Sequence, residues 1–388
     1  MVAIIATVGL VLALLATSAG FVPGAAAAAP RPMVVPDGSL AAPVLVPDIT
    51  ARAVLAVDLV TGATLTAVDP DMPFPPASTT KMLTALVVRQ HATLDELVTI
   101  EPGDLVDEEI YAHVGLRPGD RVAVRDLLAG LLIPSGGDAA RALARVVGAR
   151  LDPGAADPRA AFVAEMNRVA RRLGMRNTYF VNPDGRDAPG QRSTARDLAI
   201  LGATLLKDPI LAEVVARPVT TISVEGPNAR DITLWSTNQL LGELGVHGIK
   251  TGTTAEDGEN LVAVAWRGDH QVITVTLGSD EGERFNDVRA LFDALDTHFR
   301  WVRLGRDGDH PDLEDQLAAD GFRLMTNRTL LLTAGQADRL RYDLRLAPVG
   351  RSSPWAIQGE VVFYVGATEV LRLPVYRSGR EAGDPSQP

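Results

Sequence analysis

The sequence contains no cysteine, and only three of its 37 basic residues are lysine: Lys81, Lys207 and Lys250. The first absence excludes disulfides, zinc–thiolate centres and a cysteine nucleophile. The second leaves arginine to carry nearly all the positive charge, so each retained lysine calls for a chemical reason. Basic charge is itself in deficit. The formal charge of −11 argues against nucleic acid as a partner, because phosphate binding needs a basic surface. No G-x-S-x-G elbow and no H-E-x-x-H helix occurs. The six histidines do not cluster at metal-ligand spacing. "RDGDHPDLED" lacks the glycine and glutamate positions of a calcium loop. Neither a metal nor a cofactor is expected.

What is present suits a large domain and a small one, with 388 residues of which 46% are hydrophobic. Residues 1–29 read as a secretory signal: Val2–Ala19 carries no charge, and small residues follow at Ala27–Ala29. No Lys or Arg precedes the apolar run, so an uncleaved N-terminal anchor is the other reading. Export is expected in either case, to the periplasm or cell wall, with membrane contact limited to this segment. A Pro-rich linker follows at 30–48.

From Ala51, "ARAVLAVDLVTGATLTAVD" reads as two strands around a Thr-Gly turn. Helical periodicity marks "STTKMLTALVVRQ", "VRDLLAGLLI", "DAARALARVVGA", "DPRAAFVAEMNRVARRLG" and "STARDLAILGATLL". "HGIKTGTT", "NLVAVAWR" and "HQVITVTLG" read as three successive strands of an antiparallel meander, and "ERFNDVRALFDALDTHFRWV" as a closing helix. The whole of 49–303 is expected to be one α/β (α+β) unit, an antiparallel sheet flanked by helices. A charged linker at 304–320, a small all-β domain at 321–378 and a polar tail at 379–388 complete the expectation.

Three short motifs carry chemistry. In "PFPPASTTKMLTALVV", Ser78 and Lys81 stand three residues apart at a helix start and share a face. A neutral lysine is a competent base for a serine hydroxyl, and burial and a second cation both lower its pKa. Arginine does not deprotonate in proteins, which gives a reason to keep lysine at 81. In "LLIPSGGDAARAL", Ser135 lies on a turn between two helices, with Asp138 as the cap of the second. There it is placed either to relay a proton or simply to join helices. In "GVHGIKTGTT", Lys250 is the candidate second cation. Gly252 would let a peptide backbone approach a sheet edge, and Thr251 and Thr253 offer hydroxyls to an anionic group.

The order S-x-x-K, S-G-x, K-T-G holds two of the three lysines. It matches the motif set of serine penicillin-binding proteins and β-lactamases. With "LTALVV", "LLIPSGGDAARALA", "FVNPDGR", "STARDLA" and "TNQLLGELGVHGIKTGTTAEDGENLVAVA", residues 50–300 resemble the D-alanyl-D-alanine carboxypeptidases among the low-molecular-mass penicillin-binding proteins. The resemblance implies a β-lactamase/transpeptidase-like fold acting on peptidoglycan stem peptides that end in D-Ala-D-Ala. It also implies β-lactams as covalent inhibitors. Ser78 would be the nucleophile, Lys81 the base, Ser135 the proton carrier to the leaving D-alanine, and Lys250 the residue that sets the field. Backbone amides of Ser78 and Thr253 would form the oxyanion hole. Thr251 and Arg284 would meet the substrate carboxylate.

Two positions depart from the family pattern. Gly137 replaces the asparagine of S-x-N, whose amide holds the base lysine and a substrate carbonyl. One such hydrogen bond is worth about 1.5–3 kcal/mol, so activity is expected to be weakened. A binding protein with impaired catalysis is the alternative. His247 replaces an aspartate near Lys250. β-Lactamase activity would need a deacylating base, and Glu165 and Asn167, two apart on one helix, cannot share a face.

Overall fold

The computed structural model describes residues 48–254, 257–306, 308–346 and 357–377. The signal or anchor segment, nearly all of the Pro-rich linker and the polar tail lie outside them. No helix among the described residues is long and apolar enough to cross a membrane.

The chain begins with the hairpin β1 (Ala53–Asp58) and β2 (Thr64–Val68), then enters a helical layer. A 3-10 turn, Ala77–Thr80, runs into α1 (Lys81–His91). A small hairpin, β3 (Leu97–Thr99) with β4 (Arg121–Ala123), precedes α2 (Val124–Leu132), α3 (Gly137–Leu151), α4 (Pro158–Arg172), α5 (Ala195–Leu205) and α6 (Pro209–Val215). A second hairpin, β5 (Val219–Val224) with β6 (Arg230–Trp235), leads to the meander β7 (Val246–Thr253), β8 (Glu259–Arg267) and β9 (His270–Ser279). Helix α7 (Arg284–His298) closes the unit.

The main sheet has the order β2-β1-β9-β8-β7, all pairs antiparallel, which leaves β7 at an edge. Both faces are buried. Leu55, Val262, Val264, Ile273, Val275 and Leu277 face the helical layer. Their alternates Val54, Ala56, Leu261, Ala263 and Val272 pack with Val288, Leu291 and Phe292 of α7. The strands therefore read as nearly continuous apolar runs. Helix α1 is central to the helical layer and packs against α2, α3, α4 and α5. Its residues Lys81–Val88 are all buried. A helix apolar all round belongs in a core, and Lys81 is carried into the interior with it.

The C-terminal part departs from expectation in two ways. The closing helix ends at His298, and Phe299–Leu304 forms a strand, β10. The stretch expected to be a charged linker contains a helix, α8 (Pro311–Ala319). Pro311 at its first turn suits an N-terminus, as do Asp312 and Glu314 beside it. Leu313 and Leu317, one turn apart, are buried in the C-terminal core. Strands β11 (Phe322–Leu324), β12 (Arg328–Thr333), β13 (Leu340–Leu346), β14 (Ile357–Val365) and β15 (Thr368–Arg377) follow, with a one-turn helix α9 (Ala334–Ala337) after β12. β12 pairs with β10, and the other four form a sheet of order β11-β15-β14-β13. The unit expected to be all-β is thus a sheet with helices. It is tied to the main sheet by buried Asp58 of β1, whose carboxylate accepts hydrogen bonds from His270 Nδ1 (2.7 Å) and Trp301 Nε1 (2.9 Å).

Candidate active site

Ser78 lies inside the 3-10 turn, where residues three apart eclipse each other. Lys81 Nζ is accordingly 2.8 Å from Ser78 Oγ, and it also donates to the backbone carbonyl of Asp184. The turn is held from three directions. Asn260 of β8 donates to the Pro75 carbonyl at 2.9 Å. Gly252 of β7 lies so close that a Cβ there would stand 3.0 Å from Ala77 Cβ and 3.3 Å from Ser78 N. Gly185 approaches closer still. A Cβ on it would fall 2.0 Å from the Ala77 carbonyl oxygen, and its φ of +81° is a glycine conformation. Ala77 itself has φ +49°. Such a conformation costs a non-glycine residue on the order of 1–3 kcal/mol and persists where surrounding structure imposes it.

Lys81 is 3% exposed. Burial lowers its pKa to about 8, against the opposing charges of Asp184 and Asp138, and the Arg186 guanidinium lowers it further. Lys250 is 1% exposed and donates to the Thr251 carbonyl at 3.1 Å. Burial, then repulsion from Lys81 and Arg284, holds Lys250 well below the usual lysine value. The two buried lysines disfavour each other's protonation, and the Arg186 guanidinium adds a further cation acting on Lys81.

Ser135 occupies the loop between α2 and α3, with φ +69°. It is 4% exposed, and its hydroxyl has no hydrogen-bond partner among the described residues. Asp138, expected as a helix cap, accepts hydrogen bonds from the amides of Val114, Gly115, Leu116 and Ala139. It thereby fixes the segment that follows Val106, Tyr111 and Ala112. Those three residues share with Ser78, Lys81, Gly137, Gly185, Arg186 and Thr253 a cleft of about 70 Å³. Gly137 opens α3 and donates to the Ala112 carbonyl, and a Cβ on it would stand 3.0 Å from Val106 Cγ1. Val106 therefore takes up the space beside the missing side chain.

On the β7 margin, Arg284 at the start of α7 donates to the Gly252 carbonyl and to Thr253 Oγ1, both at 2.8 Å, and forms an ion pair with Glu259. Thr251 Oγ1 lies 2.6 Å from Thr237 Oγ1.

A family model described as D-alanyl-D-alanine carboxypeptidase matches residues 40–281. The chain belongs to that family. It is 39% identical over 231 residues to D-alanyl-D-alanine carboxypeptidase DacC of Escherichia coli, covering 56% of this chain and 54% of the relative. The chain thus matches about half the length of this relative. Among solved structures, the Streptomyces K15 DD-transpeptidase is 34% identical with a TM-score of 0.61, over 65% of this chain and 99% of that one. Penicillin binding protein 6B from Escherichia coli is 27% identical with a TM-score of 0.62, over 88% of this chain and 98% of that one. The second likeness extends the shared fold into the C-terminal unit.

Within this family fold, Ser78, Lys81, Gly137 and Thr253 line one cleft, Gly252 backs the serine, and Arg284 binds the backbone and side chain of the K-T-G strand. His247 is engaged elsewhere, stacked on Trp266 at 4.8 Å and hydrogen-bonded to Gln271. Glu165 is paired with Arg168 and His91, and Asn167 binds the backbone of Phe180. Gly185, Arg186, Glu259 and Asn260 escaped the sequence reading. "PDGR" carried a turn signal for the first two, while the others are polar positions at the head of an apolar strand. No group of three or more acidic or histidine side chains among the described residues is arranged to hold a metal ion.

Proposed function

We propose that the protein is a serine D-Ala-D-Ala carboxypeptidase that removes the terminal D-alanine from peptidoglycan stem peptides. Ser78 Oγ attacks the carbonyl between the two D-alanines while the deprotonated Lys81 amine takes the hydroxyl proton. The amides of Ser78 and Thr253 receive the developing oxyanion, at about 3 kcal/mol per donor. Ser135 passes a proton to the leaving amine, D-alanine departs, and water then hydrolyses the Ser78 ester by the same proton path. Thr251 and Thr253 receive the terminal carboxylate. Arg284, already bonded to Thr253 and Glu259, holds that hydroxyl in place.

The observation that carries this reading is a buried amine, its pKa lowered to about 8, in hydrogen-bond contact with a serine hydroxyl on a strained turn. Lys250 keeps the K-T-G margin electropositive when it binds a proton. β-Lactams would acylate the same serine. Export through the N-terminal segment would place the protein beside its substrate.

Incubation with a labelled penicillin followed by peptide mapping should place the adduct on Ser78. Absence of label, together with no release of D-alanine from a diacyl-D-Ala-D-Ala peptide, would remove this reading. Labelling without D-alanine release would favour the catalytically impaired peptidoglycan- or penicillin-binding alternative that Gly137 raises.

A further inference from the structure

Thr237 lies on the segment that joins β6 to β7, within the "TNQLLGELGVHGIKTGTT" stretch, and no step described so far uses it. The segment is fixed on three sides. Ser236 N donates to the Pro218 carbonyl at 2.8 Å. Thr237 N donates at 3.1 Å to the carbonyl of Ile133, which ends α2 two residues before Ser135. The buried Asn238 donates from Nδ2 to the Gly248 carbonyl of β7 at 3.1 Å, and its Oδ1 accepts from Leu240 N. Thr237 is thereby set between the loop of the second motif and the strand of the third. Its Oγ1 is 2.6 Å from Thr251 Oγ1, and either hydroxyl can donate. Thr237 is exposed, whereas Thr251 is buried.

We propose that Thr237 is a positioning residue: it aims the Thr251 hydroxyl at the terminal carboxylate of the substrate and so sets the preference for a free C-terminus. This role rests on the reading in which Thr251 receives that carboxylate. A threonine hydroxyl has one hydrogen and two lone pairs, and a carboxylate only accepts. If Thr251 donates to Thr237, it has no hydrogen left for the ligand. If Thr237 donates instead, the Thr251 hydrogen is free, and Thr237 fills one of the Thr251 lone pairs. Lys250 Nζ, 3.5 Å from the same oxygen, stands near the other. With a carboxylate present, the second arrangement satisfies both hydroxyls, so arrival of the anion selects it. Accepting from Thr237 also strengthens Thr251 as a donor, because linked hydrogen bonds polarise one another where the dielectric is low. Thr237 would do for Thr251 what Arg284 does for Thr253. The main-chain bonds on either side deliver its hydroxyl from a braced segment rather than a free loop.

Equilibrium binding to the Ser78→Ala protein tests this, with one labelled peptide ending in D-Ala-D-Ala prepared as the free acid and as the C-terminal amide. The acid is expected to bind more tightly. Adding Thr237→Val, which removes the hydroxyl at similar volume, should shrink the acid-to-amide ratio about fivefold, the equivalent of one hydrogen bond. Thr237→Ser should keep the parent ratio. Equal weakening of acid and amide by Thr237→Val would mean that Thr237 only braces the segment, and would overturn the proposal. So would a ratio that Thr237→Ser loses as fully as Thr237→Val. A parent protein that binds acid and amide alike removes the carboxylate reading of Thr251 and the role of Thr237 with it. A parent preference that survives unchanged in Thr237→Val removes the role of Thr237 alone. Penicillin labelling of the unsubstituted protein scores the acyl transfer separately.

Discussion

An amine at the ordinary lysine value is almost wholly protonated at neutral pH and has no lone pair to offer. Enclosed in α1, with its pKa near 8, Lys81 is deprotonated in about one molecule in ten at pH 7. The rate of Ser78 acylation by penicillin should therefore rise with pH and reach half its plateau near pH 8. Arg186→Gln removes a cation that disfavours the proton on Lys81, so the midpoint should move to higher pH. Asp184→Asn removes an anion that favours the proton, so it should move lower. Midpoints unmoved in both variants would mean that burial alone sets the value. At Gly137 the lost amide cannot simply be restored, because Val106 occupies the adjoining space. Gly137→Asn alone should change acylation by less than about threefold. Paired with Val106→Ala it should gain roughly tenfold, the equivalent of about one hydrogen bond. Stopped-flow acylation kinetics of the two variants would decide this.

At the scale of elements, the turn that carries Ser78 depends on close approaches that leave no room for added atoms. Gly185→Ala would drive a methyl group into the Ala77 carbonyl at a backbone angle that alanine disfavours. A displacement of about 1 Å at Ser78 should cost about 100-fold in acylation rate, measurable by penicillin labelling. Wild-type rates in that variant would show that the loop can yield without moving the serine. The meander β7–β9 was legible in the sequence because its strands are Val-, Ile- and Thr-rich, and Gly-Asp marks the turn before β9. The helices from α1 to α5 were legible from period and caps. The hairpin β5–β6 was not, since half of its residues are exposed, only three are buried and apolar alternation is weak. Helix α8 was hidden by its charge, because two leucines are all it buries. The three motifs S-x-x-K, S-G-x and K-T-G were legible as such. Their supports were not, because Gly185, Asn260 and Glu259 reach the site through contacts more than a hundred residues distant in sequence or through another side chain.

At the scale of the whole molecule, the Asp58–His270–Trp301 cluster joins the main sheet to the C-terminal unit. Burial alone would lower the pKa of His270, but the hydrogen bond and charge of Asp58 outweigh it and raise the value. Burial would raise that of Asp58, and its hydrogen bonds to His270 and Trp301 outweigh this and lower it. A raised histidine stabilises the fold below its unfolded value of about 6.5 and loses that contribution as pH climbs through the folded value. A depressed aspartate stabilises above about 3.9 and loses it as pH falls. The link should thus be strongest between about pH 4 and 6.5. His270→Gln should lower Tm most in that window and least in alkaline solution, as followed by thermal denaturation. A pH-independent deficit would mean that the ring matters only for packing.

Because β7 and β8 both press on the turn that carries Ser78, the proposed reactivity would belong to the finished unit rather than to its N-terminal third. A chain that emerges on the far side of a membrane one end first would expose Ser78 some 180 residues before Asn260 arrives to steady it. Until then the serine would be invisible to antibiotic and substrate alike, and a fragment cut short before Glu259 would stay inert however well its helices formed.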